Sequence, residues 1–417
     1  MQRLEYALFV VALGAANLVV APGCSSAPGL RATTAGATSS EAGSAGSAGV
    51  ALASGASGGG GILGSSGGGA SNSRGGGTGM SQAGSAGSDP NGSFGPRLIG
   101  RFDLSAPSAP VFAWSGSAIA LRFTGAEISV TLGDAGDNVF QVVIDGQLTT
   151  IATSAGTNQY ALASALSGGA HSLLLYRRTE ATQGETTFYG FDVATSSYLA
   201  NDPAPKRRLE VIGDSISAGY GDEGTFPCAF SAATENHYLT YEALAARALQ
   251  AELHTEAWSG IGMLRNYDGS MTNTMPERFP RTLPQRATST WDFSAYVPDA
   301  VVINLGTNDF AAGDPGMAFE TTYLQFVTDL RAHYPAARFF LAVGPMLSGD
   351  GYTQAVAYLN AVIAARAALG DKNLALLELG TQDASLDGLG CDYHPSLKTH
   401  QKMADKMVAA LQADLGW

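Results

Sequence analysis

Four residues of this 417-residue chain, Ser215, Gly260, Asn308 and His394, could divide the work of splitting an ester. That reaction needs a nucleophile, a base to take its proton, and donors aimed at the oxygen on which charge develops. Ser215, in Gly213-Asp214-Ser215-Ile216, supplies a hydroxyl, and His394, in Asp392-Tyr393-His394-Pro395-Ser396, supplies an imidazole. The candidate donors are the backbone N–H of Ser215, the backbone N–H of Gly260 and the side-chain amide of Asn308. A glycine suits position 260 because the missing Cβ lets the backbone approach a reacting oxygen. Taken singly, each residue has a plainer reading: a serine is a common helix N-cap and a glycine a common turn residue.

Such groups converge only if their elements end at one place. Leu209–Ile212 is an apolar run that ends at Gly213, and a β-like stretch from Leu253 precedes Trp258-Ser259-Gly260-Ile261-Gly262. Ala300–Leu305 is strongly apolar and leads into Gly306-Thr307-Asn308-Asp309. His394 stands before a C-terminal helix in which Met403, Met407, Leu411 and Leu415 recur every four residues. Each block follows a strand or precedes a helix, where loops gather at one edge of a parallel sheet. The spacing predicts further helices over Glu242–Glu252, Phe319–His333 and Tyr352–Leu369, and strands over Arg338–Val343 and Leu374–Leu379. Residues 204–417 are therefore expected to form an α/β domain, a three-layer α/β/α sandwich on a mostly parallel sheet.

In that order and context the four residues resemble the SGNH (GDSL-type) hydrolases. The resemblance narrows with Gly213–Gly221, Trp258-Ser259-Gly260, Asn304–Asp309 and Gly390–Pro395, which together look like carbohydrate esterase family 2. That family comprises deacetylases of acetylated plant polysaccharides, acetylxylan esterases among them, and carries an N-terminal β-sandwich. The resemblance implies a serine esterase that removes O-acetyl groups through an acetyl-serine intermediate, with acetylated polysaccharide as its partner and no cofactor. Two alternatives stay open: a lipid or thioester hydrolase of the wider superfamily, and an inactive tethered glycan-binding lipoprotein.

The chain departs from the superfamily pattern at one position. An aspartate usually stands three residues before the histidine, and here that residue is Cys391, with Asp392 two residues before His394. Asp392 is expected to accept from Nδ1–H of the imidazole as a triad aspartate does. The alternative is a backbone carbonyl in that role, leaving Ser215 and His394 as a dyad.

Residues 96–203 alternate in short β-rich runs, including Ala118–Phe123, Ile128–Leu132, Phe140–Ile144 and Ser172–Tyr176. Asp145-Gly146 and Gly168-Gly169 are the clearest turns, and no helical stretch intervenes, so this segment is expected to be an all-β jelly-roll sandwich. Trp114, Tyr176 and Tyr189 are either core or interdomain aromatics, the plainer reading, or stacking surfaces for a glycan. A short linker predicts that the sandwich packs against the hydrolase.

The first quarter of the chain has another character. Residues 1–23 combine Arg3 with an apolar run and small residues before Cys24, as in a secretory signal. Ala21-Pro22-Gly23-Cys24 resembles a lipoprotein box, so Cys24 is the expected lipidation site and the only expected link to a membrane; plain secretion is the alternative. Residues 24–95 are mostly Gly, Ser and Ala, cannot bury enough apolar surface to order themselves, and read as a tether reaching about 45 Å. With Cys24 set aside, Cys228 and Cys391 remain, and a disulfide between them would bind the Ser215 and His394 loops together; two buried thiols are the alternative. A formal charge of −13, without a basic stripe, argues against nucleic acid. The sequence has no His-Glu-x-x-His or Cys-x-x-Cys metal signature, and His237, His254, His333 and His400 read as packed or surface histidines. A monomer is expected, lipid-anchored at the bacterial surface or outer membrane, or secreted.

Overall fold

The computed structural model describes residues 94–193 and 197–417. The expected export signal, Cys24 and nearly all of the expected tether lie outside the described residues. The N-terminal module consists of β1 (Arg97–Ile99), β2 (Phe102–Asp103), β3 (Val111–Phe112), β4 (Ala118–Thr124), β5 (Ile128–Asp134), β6 (Val139–Ile144), β7 (Gln147–Ala152), β8 (Gly156–Ala163), β9 (Ala170–Arg177) and β10 (Thr186–Asp192). These strands form two antiparallel sheets, in the orders β1-β4-β9-β6-β7 and β2-β3-β10-β5-β8. Period-two patterning explains the stacking. Ile128, Val130 and Leu132 of β5 are buried while Ser129 and Thr131 are not, and Ile119, Leu121 and Phe123 of β4 meet them in the same core. Asp145 and Gly146, at φ of 51° and 82°, close the β6–β7 hairpin with the two positive angles that its tight turn requires.

The second module runs β11 (Arg207–Gly213), α1 (Ser215–Ala218), α2 (Tyr241–Ala248), β12 (Ala251–Ala257), α3 (Met275–Arg278), β13 (Ala300–Asn304), α4 (Met317–His333), β14 (Arg338–Val343), α5 (Gly349–Ala368), β15 (Leu374–Glu378), α6 (Ala384–Asp387) and α7 (Leu397–Leu415). Its sheet is wholly parallel, in the order β12-β11-β13-β14-β15. Both faces are covered, which is why its strands read as continuous apolar runs. Leu209, Val211, Val302 and Phe340 pack with Met403, Met407 and Leu411 of α7 on one face. Ile212, Ile303, Phe339 and Leu341 pack with Phe326, Val327 and Leu359 of α4 and α5 on the other. The expected helix over Glu242–Glu252 stops early. Gln250 takes a left-handed φ of 52°, and Ala251 and Glu252 pair in parallel with Arg207 and Arg208 of β11, so sheet pairing overrides local helical preference.

β12 and β13 flank β11 on opposite sides, so the chain changes direction beside β11 and opens a crevice beyond the carboxyl ends of these strands. The sandwich packs against this module through buried polar groups. Arg101, fully buried, pairs with Glu210 of β11 at 3.1 Å and Glu256 of β12 at 2.8 Å. Its guanidinium also lies over the rings of Phe279, Trp291 and Phe293.

Candidate active site

Ser215 sits two residues beyond the end of β11, as the first residue of α1. Asp214 caps that helix, its Oδ1 accepting from the Ile216 N–H at 3.0 Å, which leaves the Ser215 N–H without an intrahelical partner. Gly260 belongs to the turn after β12, which the Trp258 N–H fastens to the Gly213 carbonyl at 3.3 Å. Asn308 follows β13, and its Nδ2 donates to the Ile261 carbonyl at 2.7 Å. His394 enters from the loop between β15 and α7, and its Nε2 stands 2.8 Å from Ser215 Oγ. Residues spread over 180 positions thus meet at one sheet edge, with Ser215 only 6 % exposed.

The Nδ1 side of His394 corrects an expectation. It faces the backbone carbonyls of Cys391 at 3.3 Å and Asp392 at 3.2 Å, not a carboxylate. The loop does turn sharply, with Asp392 at φ 50° and Tyr393 at φ 67°, but that turn aims carbonyls at the ring. The Asp392 carboxylate points elsewhere, accepting from the Tyr220 hydroxyl at 2.9 Å and the Phe230 N–H at 3.0 Å. Ser215 and His394 therefore stand as a dyad with carbonyl support. Tyr220 also packs against the imidazole with its ring tilted by 31°, centroids 4.2 Å apart, and limits its rotation. Burial lowers the His394 pKa, partly offset by the two carbonyls, so the ring stays neutral and able to accept a proton at neutral pH.

Cys228 and Cys391 form a disulfide, and the Asp392 N–H donates to the Cys228 carbonyl at 3.0 Å. The cysteine pair therefore grips the same three-residue turn that presents carbonyls to Nδ1.

Two acids shape the opposite wall. Asp309 accepts from the backbone N–H groups of Met263, Leu264 and Arg265 at 2.7–2.9 Å and so fixes the loop beyond Gly260. Burial raises its pKa and pushes that of Asp214 up to about 7. Asn308 Nδ2 also donates to Asp214 Oδ2 at the long distance of 3.5 Å, a weak bond that a ligand oxygen would displace, while its bond to Ile261 is the firm one. Within Trp258–Ile261 the Gly260 N–H is the one amide with no hydrogen-bond partner among the described residues.

Four other histidines have partners other than Ser215. His237 Nδ1 bonds the Tyr176 hydroxyl at 2.6 Å, His254 stacks on Tyr296, His333 on Phe293, and His400 accepts from the Tyr241 N–H. Trp114 and Tyr176 are buried, the plainer of their two readings, while Tyr189 is exposed on the sandwich. Sequence reasoning passed over Tyr220, although it lies inside the Gly213–Gly221 motif, and Asp309, although it ends Gly306-Thr307-Asn308-Asp309. It also passed over Glu180, whose carboxylate accepts from the Ser259 N–H at 2.7 Å and which no local motif marks.

The chain also matches known proteins. The family model for the carbohydrate esterase 2 N-terminal domain matches residues 98–203, and that of the GDSL-like lipase/acylhydrolase family matches residues 211–402. A family two carbohydrate esterase from Clostridium thermocellum, solved in complex with cellohexaose, is 43 % identical with a TM-score of 0.75, over 78 % of this chain and 100 % of that one. The cellulase/esterase CelE of Acetivibrio thermocellus is 43 % identical over 76 % of this chain, which spans only 39 % of CelE's length. An acetylxylan esterase/glucomannan deacetylase of Cellvibrio japonicus is 25 % identical over 77 % of this chain and 89 % of its own. With a β-sandwich before a parallel sheet, a Ser215–His394 pair at that sheet's edge, and a fully covered relative at 43 % identity, the chain belongs to carbohydrate esterase family 2.

Proposed function

We propose that this chain is an exported serine esterase that removes O-acetyl groups from polysaccharide and works without a cofactor. The observation that carries the reading is the 2.8 Å contact between His394 Nε2 and Ser215 Oγ beside the N–H groups of Ser215 and Gly260, which have no hydrogen-bond partner among the described residues. Ser215 Oγ attacks the acetyl carbonyl while its proton passes to His394 Nε2. The carbonyl electron pair moves onto oxygen, where the Ser215 and Gly260 N–H groups and Asn308 Nδ2 donate to it. Collapse breaks the bond to the sugar oxygen, which takes the proton back from His394. A water molecule, giving a proton to the same nitrogen, then attacks the acetyl-serine; acetate leaves and Ser215 recovers its proton.

Names of relatives support a sugar substrate, since they include an acetylxylan esterase/glucomannan deacetylase. So do the exposed aromatics beside the dyad. Tyr267, 71 % exposed, follows the Gly260 turn, and Tyr393, 60 % exposed, adjoins His394 and packs against Phe226 with centroids 4.4 Å apart. Flat amphipathic rings suit the faces of pyranose units. Acetate release from acetylated xylan, glucomannan and cell-wall glycans tests the reading. The wild-type chain should deacetylate at least one polymer and Ser215→Ala none. Faster cleavage of long-chain nitrophenyl esters than of the acetate would point instead to a lipid esterase.

Residues 1–23, Cys24 and the Gly/Ser/Ala tether support a protein held at the bacterial surface or outer membrane by lipid on Cys24, or else secreted. Cys24→Ala should move the protein from the membrane fraction to the medium, and a wild-type protein already in the medium would mean plain secretion.

A further inference from the structure

Glu180 lies in the β-sandwich, just beyond β9, yet its carboxylate reaches into the α/β module and accepts from the Ser259 N–H at 2.7 Å. Its side chain is buried, with 1 % exposure. The segment that carries it is held rigidly. Arg177, fully buried, donates to the carbonyls of Thr179, Glu180 and Gly184 at 2.6–3.0 Å and to Thr186 Oγ1 at 2.9 Å. The Glu180 N–H donates to Glu235 Oε2 at 3.1 Å, and the Ala181 carbonyl accepts from Gln285 Nε2.

Ser259 immediately precedes Gly260. Around it the other groups of the turn are committed: the Trp258 N–H to Gly213, the Ile261 N–H to the Trp258 carbonyl, and the Gly260 carbonyl to the Tyr267 N–H at 2.8 Å. The Gly260 N–H is left over, and its direction depends on the plane of the preceding peptide, at φ 77° for Gly260. Nothing within the α/β module holds the Ser259 N–H; the sandwich does.

We infer that Glu180 is a positioning residue for ester cleavage, through which the β-sandwich sets the aim of the Gly260 N–H at the oxyanion. The inference rests on the esterase reading above. It gives the sandwich a part in the reaction itself: the donor geometry of one module is completed by a buried acceptor from the other. Without that acceptor the half-buried Ser259 N–H loses its partner, and the turn rotates to find another, moving its neighbour with it.

The test measures kcat and KM for nitrophenyl acetate, inhibition by methylboronic acid as a tetrahedral mimic, and melting temperature, for wild type, Glu180→Ala, Glu180→Asp and Glu180→Gln. Loss of a whole oxyanion donor costs about 10² to 10³ in kcat, so a misaimed one should cost about 10- to 100-fold. Glu180→Ala should show that loss in kcat with KM within about twofold, and methylboronic acid should weaken in parallel. Glu180→Gln, which keeps an acceptor oxygen at the same reach, should stay within about threefold of wild type. Glu180→Asp keeps the charge but falls one methylene short, so it should behave like alanine and carries the test if the alanine variant fails to fold. Full kcat in both Glu180→Ala and Glu180→Asp, or an unchanged affinity for methylboronic acid, overturns the inference while the esterase reading stands. A folded wild-type chain without ester cleavage removes both.

Discussion

At the scale of the residue, the question is what fixes the imidazole. The Nδ1 partners of His394 are the carbonyls of Cys391 and Asp392, and the Asp392 carboxylate is taken up by Tyr220 and Phe230. Asp392→Asn should therefore cost less than about tenfold in kcat, whereas removal of a true triad aspartate costs about 10⁴. A loss near the larger value would put the carboxylate back on the ring. The same site fixes the pH profile. Burial is the main cause of the lowered His394 pKa, and the base works only when neutral, so activity should persist as pH falls below 6.5, the ordinary imidazole value, and decline only as the ring takes up its proton. An acid limb of kcat/KM lying above 6.5 would contradict this assignment.

The element that presents the histidine is a turn of consecutive left-handed residues, Asp392 and Tyr393, a conformation that non-glycine residues adopt at a cost. Several of its restraints come from one segment. The Cys228–Cys391 disulfide, the Asp392 N–H on the Cys228 carbonyl and the Phe230 N–H on the Asp392 carboxylate bind it to the 228–230 segment. A disulfide that closes so long a loop contributes about 2 to 5 kcal/mol to stability. Replacing both cysteines by serine should lower the unfolding free energy by that order. It should also lower kcat by about tenfold at a temperature where the protein remains folded, because the carbonyls behind Nδ1 lose their anchor. An unaltered kcat in the folded double variant would mean that the hydrogen bonds alone hold the turn. Helix α2 shows the same dominance of partners over local preference, since its expected last residues pair with β11 as strand instead.

Across the whole molecule, the two modules are joined by a charge that neither could bury alone. Arg101 of the sandwich meets Glu210 and Glu256 of the parallel sheet, all three nearly free of solvent. Arg101→Met would strand those carboxylates and should destabilise the protein by about 3 to 5 kcal/mol in urea unfolding. The deficit should depend on pH in a set direction. Burial raises the pKa of both glutamates above the ordinary 4.5, so each is tolerated as a neutral acid below that value and loses stability as pH rises through its folded pKa. The loss in Arg101→Met should thus be small near pH 4.5 and large at pH 8, and a deficit independent of pH would show that the glutamates do not need the arginine. These buried links mark the boundary of what could be read from the chain alone. Ser215, Gly260, Asn308 and His394 were legible because each lies in a short motif at an element end, and the alternation of strands and helices already dictated that those ends meet. The cysteine pair was legible from arithmetic and position. The partner of His394 Nδ1 was not, because it depends on backbone angles at Asp392 that swing a carbonyl toward the ring and the carboxylate away from it. Nor were Glu180 and Arg101, whose partners lie 79 and at least 109 residues away in another module, where only the packed fold decides which buried charge meets which donor.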